Sequence, residues 1–133
     1  MNRNTLRSIG AVALGLVFIA VSHTAIDSTL EGIGVLPKGH FNVGTPLILL
    51  VILYRTIFSF LGCYLTARIA PSRPLKHALI LGAIGTVLSI VGVVVTFNLN
   101  IAPLWYGISL VVIALPTAWL AGSAVRTKNP NVV

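Results

Sequence analysis

Four stretches of this chain, residues 9–30, 45–69, 75–99 and 104–125, are apolar and carry few charges. Each is long enough to cross a bilayer, whose hydrocarbon core of about 30 Å takes roughly 20 helical residues. The punctuation around them fits helices. Thr45 sets a capping hydroxyl ahead of Pro46, and Pro74 and Pro103 stand just before the next two runs, where a missing N–H costs nothing. Gly32, Gly34 and Pro37 close the first run. Unpaired backbone is expensive in hydrocarbon, and four short segments cannot close a barrel. The runs therefore predict an all-α fold, an integral membrane bundle of four transmembrane helices forming one domain over residues 1–133. Composition agrees, with 56% of the 133 residues apolar and 8% charged, against about a quarter charged in soluble chains. A soluble domain this small leaves much of its area in water and could not hide the excess. A disordered chain is excluded by the same apolar content, and a disulfide scaffold by the single cysteine, Cys63.

The formal charge of +7 comes from nine Lys and Arg against two acids. On a soluble protein that balance would suggest nucleic acid, but here the cations are distributed around the apolar runs. Arg3 and Arg7 precede the first run, Arg68, Arg73 and Lys76 surround the second joint, and Arg126 and Lys128 follow the last. An even number of spans puts all of these on one side, and Lys38 falls on the other. The positive-inside rule then places both termini in the cytoplasm, and no nucleic-acid partner is expected. Trp105 and Tyr106 would lie at the outer headgroup level. Arg68, Arg73 and Lys76 are either a topological signal alone or a docking site for anionic lipid headgroups, worth about 1 kcal/mol per cation near the surface. The N-terminal Arg3, Arg7 and Ala20-Val21-Ser22 also resemble a secretory signal with a small-residue cleavage site. Retention as a helix is expected, because the apolar run continues to Leu30 and its loss would leave Arg55 without an acidic partner.

An arginine near a helix centre costs about 2.5–3.5 kcal/mol on insertion scales, so Arg55 needs compensation, and Asp27 is the best candidate. At 1.5 Å per residue, Arg55 lies about 15 Å below the outer end of its helix and Asp27 about 5 Å below that of the first. Cβ bonds tilt toward each helix's own N-terminus. In antiparallel neighbours Asp27 therefore leans inward while Arg55 leans outward, across a gap that an arginine stem can snorkel. His23, Asp27 and Glu31, spaced by four, share one face. Arg55, Ser59, Gly62 and Thr66 form an answering stripe, with the phenol of Tyr54 nearby. Two readings of this cluster stand together. The Asp27–Arg55 pair can simply fix which helix packs on which, or His23, Asp27, Glu31, Tyr54, Arg55 and Ser59 can form an anion, proton or small-solute site, since imidazole titrates near neutrality.

The third run carries Gly82, Gly85, Ser89, Gly92 and Thr96. Alternating spacings of three and four put them on one seam, where small residues let helix backbones approach. In the fourth run Ala114, Ala118 and Gly122 repeat every four residues, and Pro116 forces a kink. His23, His40 and His77 fall at three different places along the bundle, so no metal site is expected. Neither a cofactor nor a catalytic constellation is apparent, and Cys63 in an apolar setting reads as an inert small hydrophobe.

The segments YRTIFSFLGCYLTAR (54–68), PSRPLKHALILGAIG (71–85) and LPTAWLAG (115–122) resemble a group of small bacterial inner-membrane proteins with four spans. The likeness covers about half of the chain, and that group would have Gly where this chain has Cys63. It implies a multi-pass protein of the bacterial inner membrane and brings no activity with it. Small multidrug exporters are similar in size, but they rely on an acid midway along the first helix, and Asp27 and Glu31 are both near its outer end. Membrane thiol oxidoreductases need paired cysteines. The expectation is therefore a non-enzymatic accessory or structural membrane component that packs with itself or a larger membrane partner, with a small transporter or channel component as the alternative.

Overall fold

The computed structural model describes residues 2–128, with side chains through residue 125. The described residues form four helices and no strand: α1 (Arg3–Gly32), α2 (Thr45–Ile69), α3 (Pro74–Leu99) and α4 (Leu104–Lys128). Each is long and apolar enough to cross a membrane. Chain order makes neighbours antiparallel, so both termini lie with the α2–α3 joint at one end of the bundle. The 33–44 loop and the α3–α4 link lie at the other. These are called the termini end and the loop end.

The helix limits follow local chemistry. α1 begins at Arg3 rather than at residue 9, because the Asn2 side chain accepts the Asn4 N–H at 3.2 Å and extends the helix past the apolar run. At its far end Gly34, with φ +82°, closes a Schellman turn in which Val35 N–H reaches the Leu30 carbonyl at 2.9 Å and Gly34 N–H reaches Glu31 at 3.2 Å. Asn100, with φ 53°, repeats the device on α3: Ile101 N–H reaches the Thr96 carbonyl at 3.0 Å and Asn100 N–H reaches Phe97 at 3.3 Å. α4 runs unbroken through Pro116 and on to Lys128.

Packing is uneven around the bundle. In their most apolar windows 28% of α2 and of α4 is buried, against 11% of α1 and 17% of α3, so α2 and α4 form the inner pair. α1 packs mainly on α2 and less on α3, and its backbone comes close to that of α4 nowhere among the described residues. The α1–α2 seam is the stripe Ala11, Gly15, Ile19, His23 and Asp27. The buried Thr66 hydroxyl donates to the Ala11 carbonyl at 2.9 Å. A methyl group at Gly15 would meet the Gly62 carbonyl at 2.9 Å and Leu81 Cδ2 at 2.8 Å. Between α3 and α4, a methyl at Gly122 would come within 2.9 Å of both Ala78 Cβ and Leu75 Cα, and Gly82 lies against Ala118. Lipid supplies no hydrophobic drive for helix association, so these close approaches and the hydrogen bonds beside them hold the helices together.

Two buried clusters result. One, at the termini end, contains Cys63, Ala67, Ala78, Leu81, Ala118 and Ala121. The other, at the loop end, contains Leu36, Ile48, Val51, Tyr54, Ala102 and Tyr106. Tyr106 is 6% exposed, which corrects its placement in an outer aromatic belt; its ring is a core element, while Trp105 beside it is exposed. The 33–44 loop folds over this end and is pinned to the α3–α4 link. Phe41 N–H donates to the Ile101 carbonyl at 2.7 Å, and Asn42 Nδ2 to the Asn100 carbonyl at 2.7 Å.

Candidate functional site

The antiparallel register of α1 and α2 brings Asp27 to Arg55, as the depth count and side-chain tilt predict. Arg55 Nη2 donates to Asp27 Oδ2, and the Tyr54 hydroxyl donates to Asp27 Oδ1. Both carboxylate oxygens thus receive a donor, each from α2. This is the only ion pair among the described residues, and its side chains are 19% and 18% exposed. His23 takes a different place from the one a proton relay with Asp27 would need. Its Nε2 lies 3.1 Å from the Arg55 main-chain carbonyl, and because a carbonyl only accepts, Nε2 carries the proton. One helical turn of α1 therefore pins α2 twice, through a side chain and through its backbone.

The guanidinium is also covered from above. Arg55 Cζ lies 5.4 Å from the centroid of the Phe41 ring, within cation–π range, and Phe41 stacks on Tyr106 at 5.5 Å with an interplanar angle of 30°. The loop between α1 and α2 and the start of α4 thereby complete a site that the sequence assigns to α1 and α2 alone. Arg55 Nε is buried without a hydrogen-bond partner among the described residues. Phe41 gives no signal in the sequence. Tyr106 does have one, since it stands four residues before Leu110, which packs against the same buried cluster.

Of the other residues assigned to this cluster, Glu31 lies in the last turn of α1, where its main-chain carbonyl serves the helix cap; its side chain joins neither Arg55 nor any other ion pair among the described residues. Ser59 does not bond to Asp27 or Arg55. It lines a cavity of about 380 Å³ that lies beside the cluster, between α1, α2, α3 and α4.

That cavity also changes the meaning of the α3 seam. Gly82 packs against α4, but Gly85, Ser89 and Gly92, expected to pack helices together, line the cavity instead. A methyl group at Gly85 or Gly92 would find nothing within 4 Å. The reason is topological: their face of α3 points between α1 and α4, and those two helices do not meet. The rest of the lining combines aliphatic side chains, from Leu16 and Ile19 on α1 to Leu110 and Ile113 on α4, with the polar groups of His23, Arg55, Thr56, Ser59 and Thr117 along its length and Thr96 and Tyr106 near the loop end. Its volume falls in the range of about 300–1,000 Å³ usual for small-molecule sites.

At the termini end Arg68, Arg73 and Lys76 are all exposed. Arg73 takes a left-handed conformation, φ 46°, at the turn into Pro74, where the proline disfavours a helical residue before it. Its carbonyl lies 3.0 Å from His77 Nδ1. Arg73 and Lys76 flank a shallow apolar groove formed with Leu79 and Ile80. Arg68 Cζ lies 6.0 Å from the Tyr64 ring centroid. The side chains of Arg126 and Lys128, two cations of the same predicted face, lie outside the described residues.

Comparison of the chain with family models, with curated proteins and with solved structures finds no match in any of the three.

Proposed function

We propose that this chain is a non-catalytic, accessory or structural component of a bacterial inner membrane, crossing it four times with both termini in the cytoplasm. The observation that carries the structural reading is the closure of the Asp27 site on itself. Both carboxylate oxygens are occupied by Tyr54 and Arg55, the guanidinium is covered by Phe41, and His23 is bonded to the main chain. A carboxylate engaged through both oxygens by donors from the neighbouring helix joins α1 to α2 with charge-assisted hydrogen bonds. The distribution of cations supports the orientation. Exposed Arg68, Arg73 and Lys76 then meet the cytoplasmic headgroups, where an apolar groove beside the cations suits anionic lipid. The exposed flanks of α1 and α3 suit packing against a second copy or a larger membrane partner.

The alternative is a small-solute transporter or channel component built on the same cluster. What favours it is the cavity reaching His23, Arg55 and Ser59. Two variants separate the readings. Under the structural one, Asp27→Asn and Arg55→Gln each lower the yield of folded, monodisperse protein in mild detergent. Under the transport reading, Asp27→Asn folds at wild-type yield but loses proton-coupled flux in liposomes.

A further inference from the structure

The cavity between α1 and α3 has a shape, a position and a mouth that together select an occupant. On α3 its lining runs from Leu81 to Thr96, about 22 Å along the helix axis. The cavity is therefore elongated along the helices, in the direction a lipid hydrocarbon chain would take.

Its mouth lies at hydrocarbon depth. Ala20 on α1 and Leu88 on α3 both line the cavity and are both exposed, Leu88 by 54%. Ala20 is about 18 Å below the loop end of α1 and Leu88 about 16 Å below that of α3, so the opening faces lipid tails. At the loop end the slot lies under Phe41, which stacks on Tyr106. A solute from water has this aromatic roof before it, whereas a lipid chain already lies alongside the opening. The lining is mostly apolar by area, and Thr96 and Tyr106 lie within a turn of the loop end, where an ester would lie. Tyr106 lines that end, and its hydroxyl makes no hydrogen bond among the described residues.

From these features we infer that the slot holds one acyl chain of a phospholipid from the leaflet at the loop end. The chain runs between α1 and α3 toward Leu81, and the ester carbonyl accepts from Tyr106. The lipid thereby supplies the contact that α1 and α4 do not make with each other. This goes beyond the structural role of Asp27 and Arg55 and does not depend on it, because the slot is formed by Gly85, Ser89, Gly92 and the gap between helices.

Native mass spectrometry tests it, on protein extracted in mild detergent from vesicles of phosphatidylethanolamine and phosphatidylglycerol. The wild-type chain is expected to retain one phospholipid. Gly85→Phe and Gly92→Phe, whose new side chains grow into open space, should lower the bound fraction about tenfold, the effect of losing about 1.4 kcal/mol of contact. Val87→Phe, on an exposed face of α3, should retain the lipid. Circular dichroism and thermal unfolding establish that each variant is folded; where a phenylalanine variant is not, Ser89→Leu, a smaller filling of the same slot, is read in its place. A wild-type chain that carries no lipid, filled variants that keep it, or a lipid-free dimer that closes the gap with a second copy would each overturn the inference.

Discussion

Arg55 organises the chemistry of this chain, and most of its surroundings follow from cost. A guanidinium this far inside an apolar helix needs an acid, and depth along the helices and Cβ direction single out Asp27 from the sequence. Tyr54 is adjacent in sequence and arrives with it. Phe41 could not be found in this way, because it lies in a loop whose path depends on hydrogen bonds to Ile101 and Asn100, and nothing local marks that path. Tyr106 was open to two meanings: an aromatic near a helix end suits both the headgroup belt and the core, and only the fold over of the loop decides between them. The Phe41 contact is itself testable. Phe41→Leu keeps an apolar side chain but removes the π face, and should cost about 0.5–2 kcal/mol in unfolding from mixed micelles. Phe41→Trp should recover most of it. Equal stability of the two variants would show that the ring contributes only apolar bulk.

For the helices, periodicity revealed faces but not what lies opposite them. The four runs, their order and nearly all their limits are readable from apolar length, prolines and glycines, and the structure moves mainly the start of α1 and the end of α4. The seam of small residues on α3 shows where the reading stops. Gly82, Gly85, Ser89 and Gly92 do share a face, yet of the three glycines only Gly82 lies against a neighbouring helix, while all four residues border the cavity. Gly15, by contrast, drew no attention as an isolated glycine in an apolar run and proves to be the close-approach point of α1. Gly10 and Gly15 of α1 should therefore respond differently to the same change. Gly15→Leu drives a side chain into Gly62 and Leu81 and should destabilise by about 1–3 kcal/mol, as overpacking does. Gly10→Leu, with nothing within 4 Å, should be near neutral or slightly stabilising. Thermal unfolding in detergent checks both, and equal losses would mean that α1 is not seated on α2 in this register.

For the bundle, the apolar content gives four helices long enough to cross a membrane, and the placement of the cations behind the +7 charge is the ground for the proposed orientation. That proposal is tested by accessibility. With Cys63→Ala removing the native thiol, Lys38→Cys should react with a membrane-impermeant maleimide in intact cells, and a cysteine at Asn2 should react only after permeabilisation; the reverse pattern would invert the protein. How four helices share their contacts was not readable from the chain, because apart from short polar or small-residue stripes the faces of each run toward lipid and toward a neighbour are equally apolar. What distinguishes them is the polar knot between α1 and α2, which makes the coupling of Asp27 to Arg55 the central claim. The most direct measurement is a double-mutant cycle with Asp27→Asn, Arg55→Gln and the pair, read as unfolding free energy in mixed micelles. A coupling energy above about 1 kcal/mol, with the double variant losing clearly less than the two single losses combined, is the predicted result. Additivity within about 0.3–0.5 kcal/mol would contradict it.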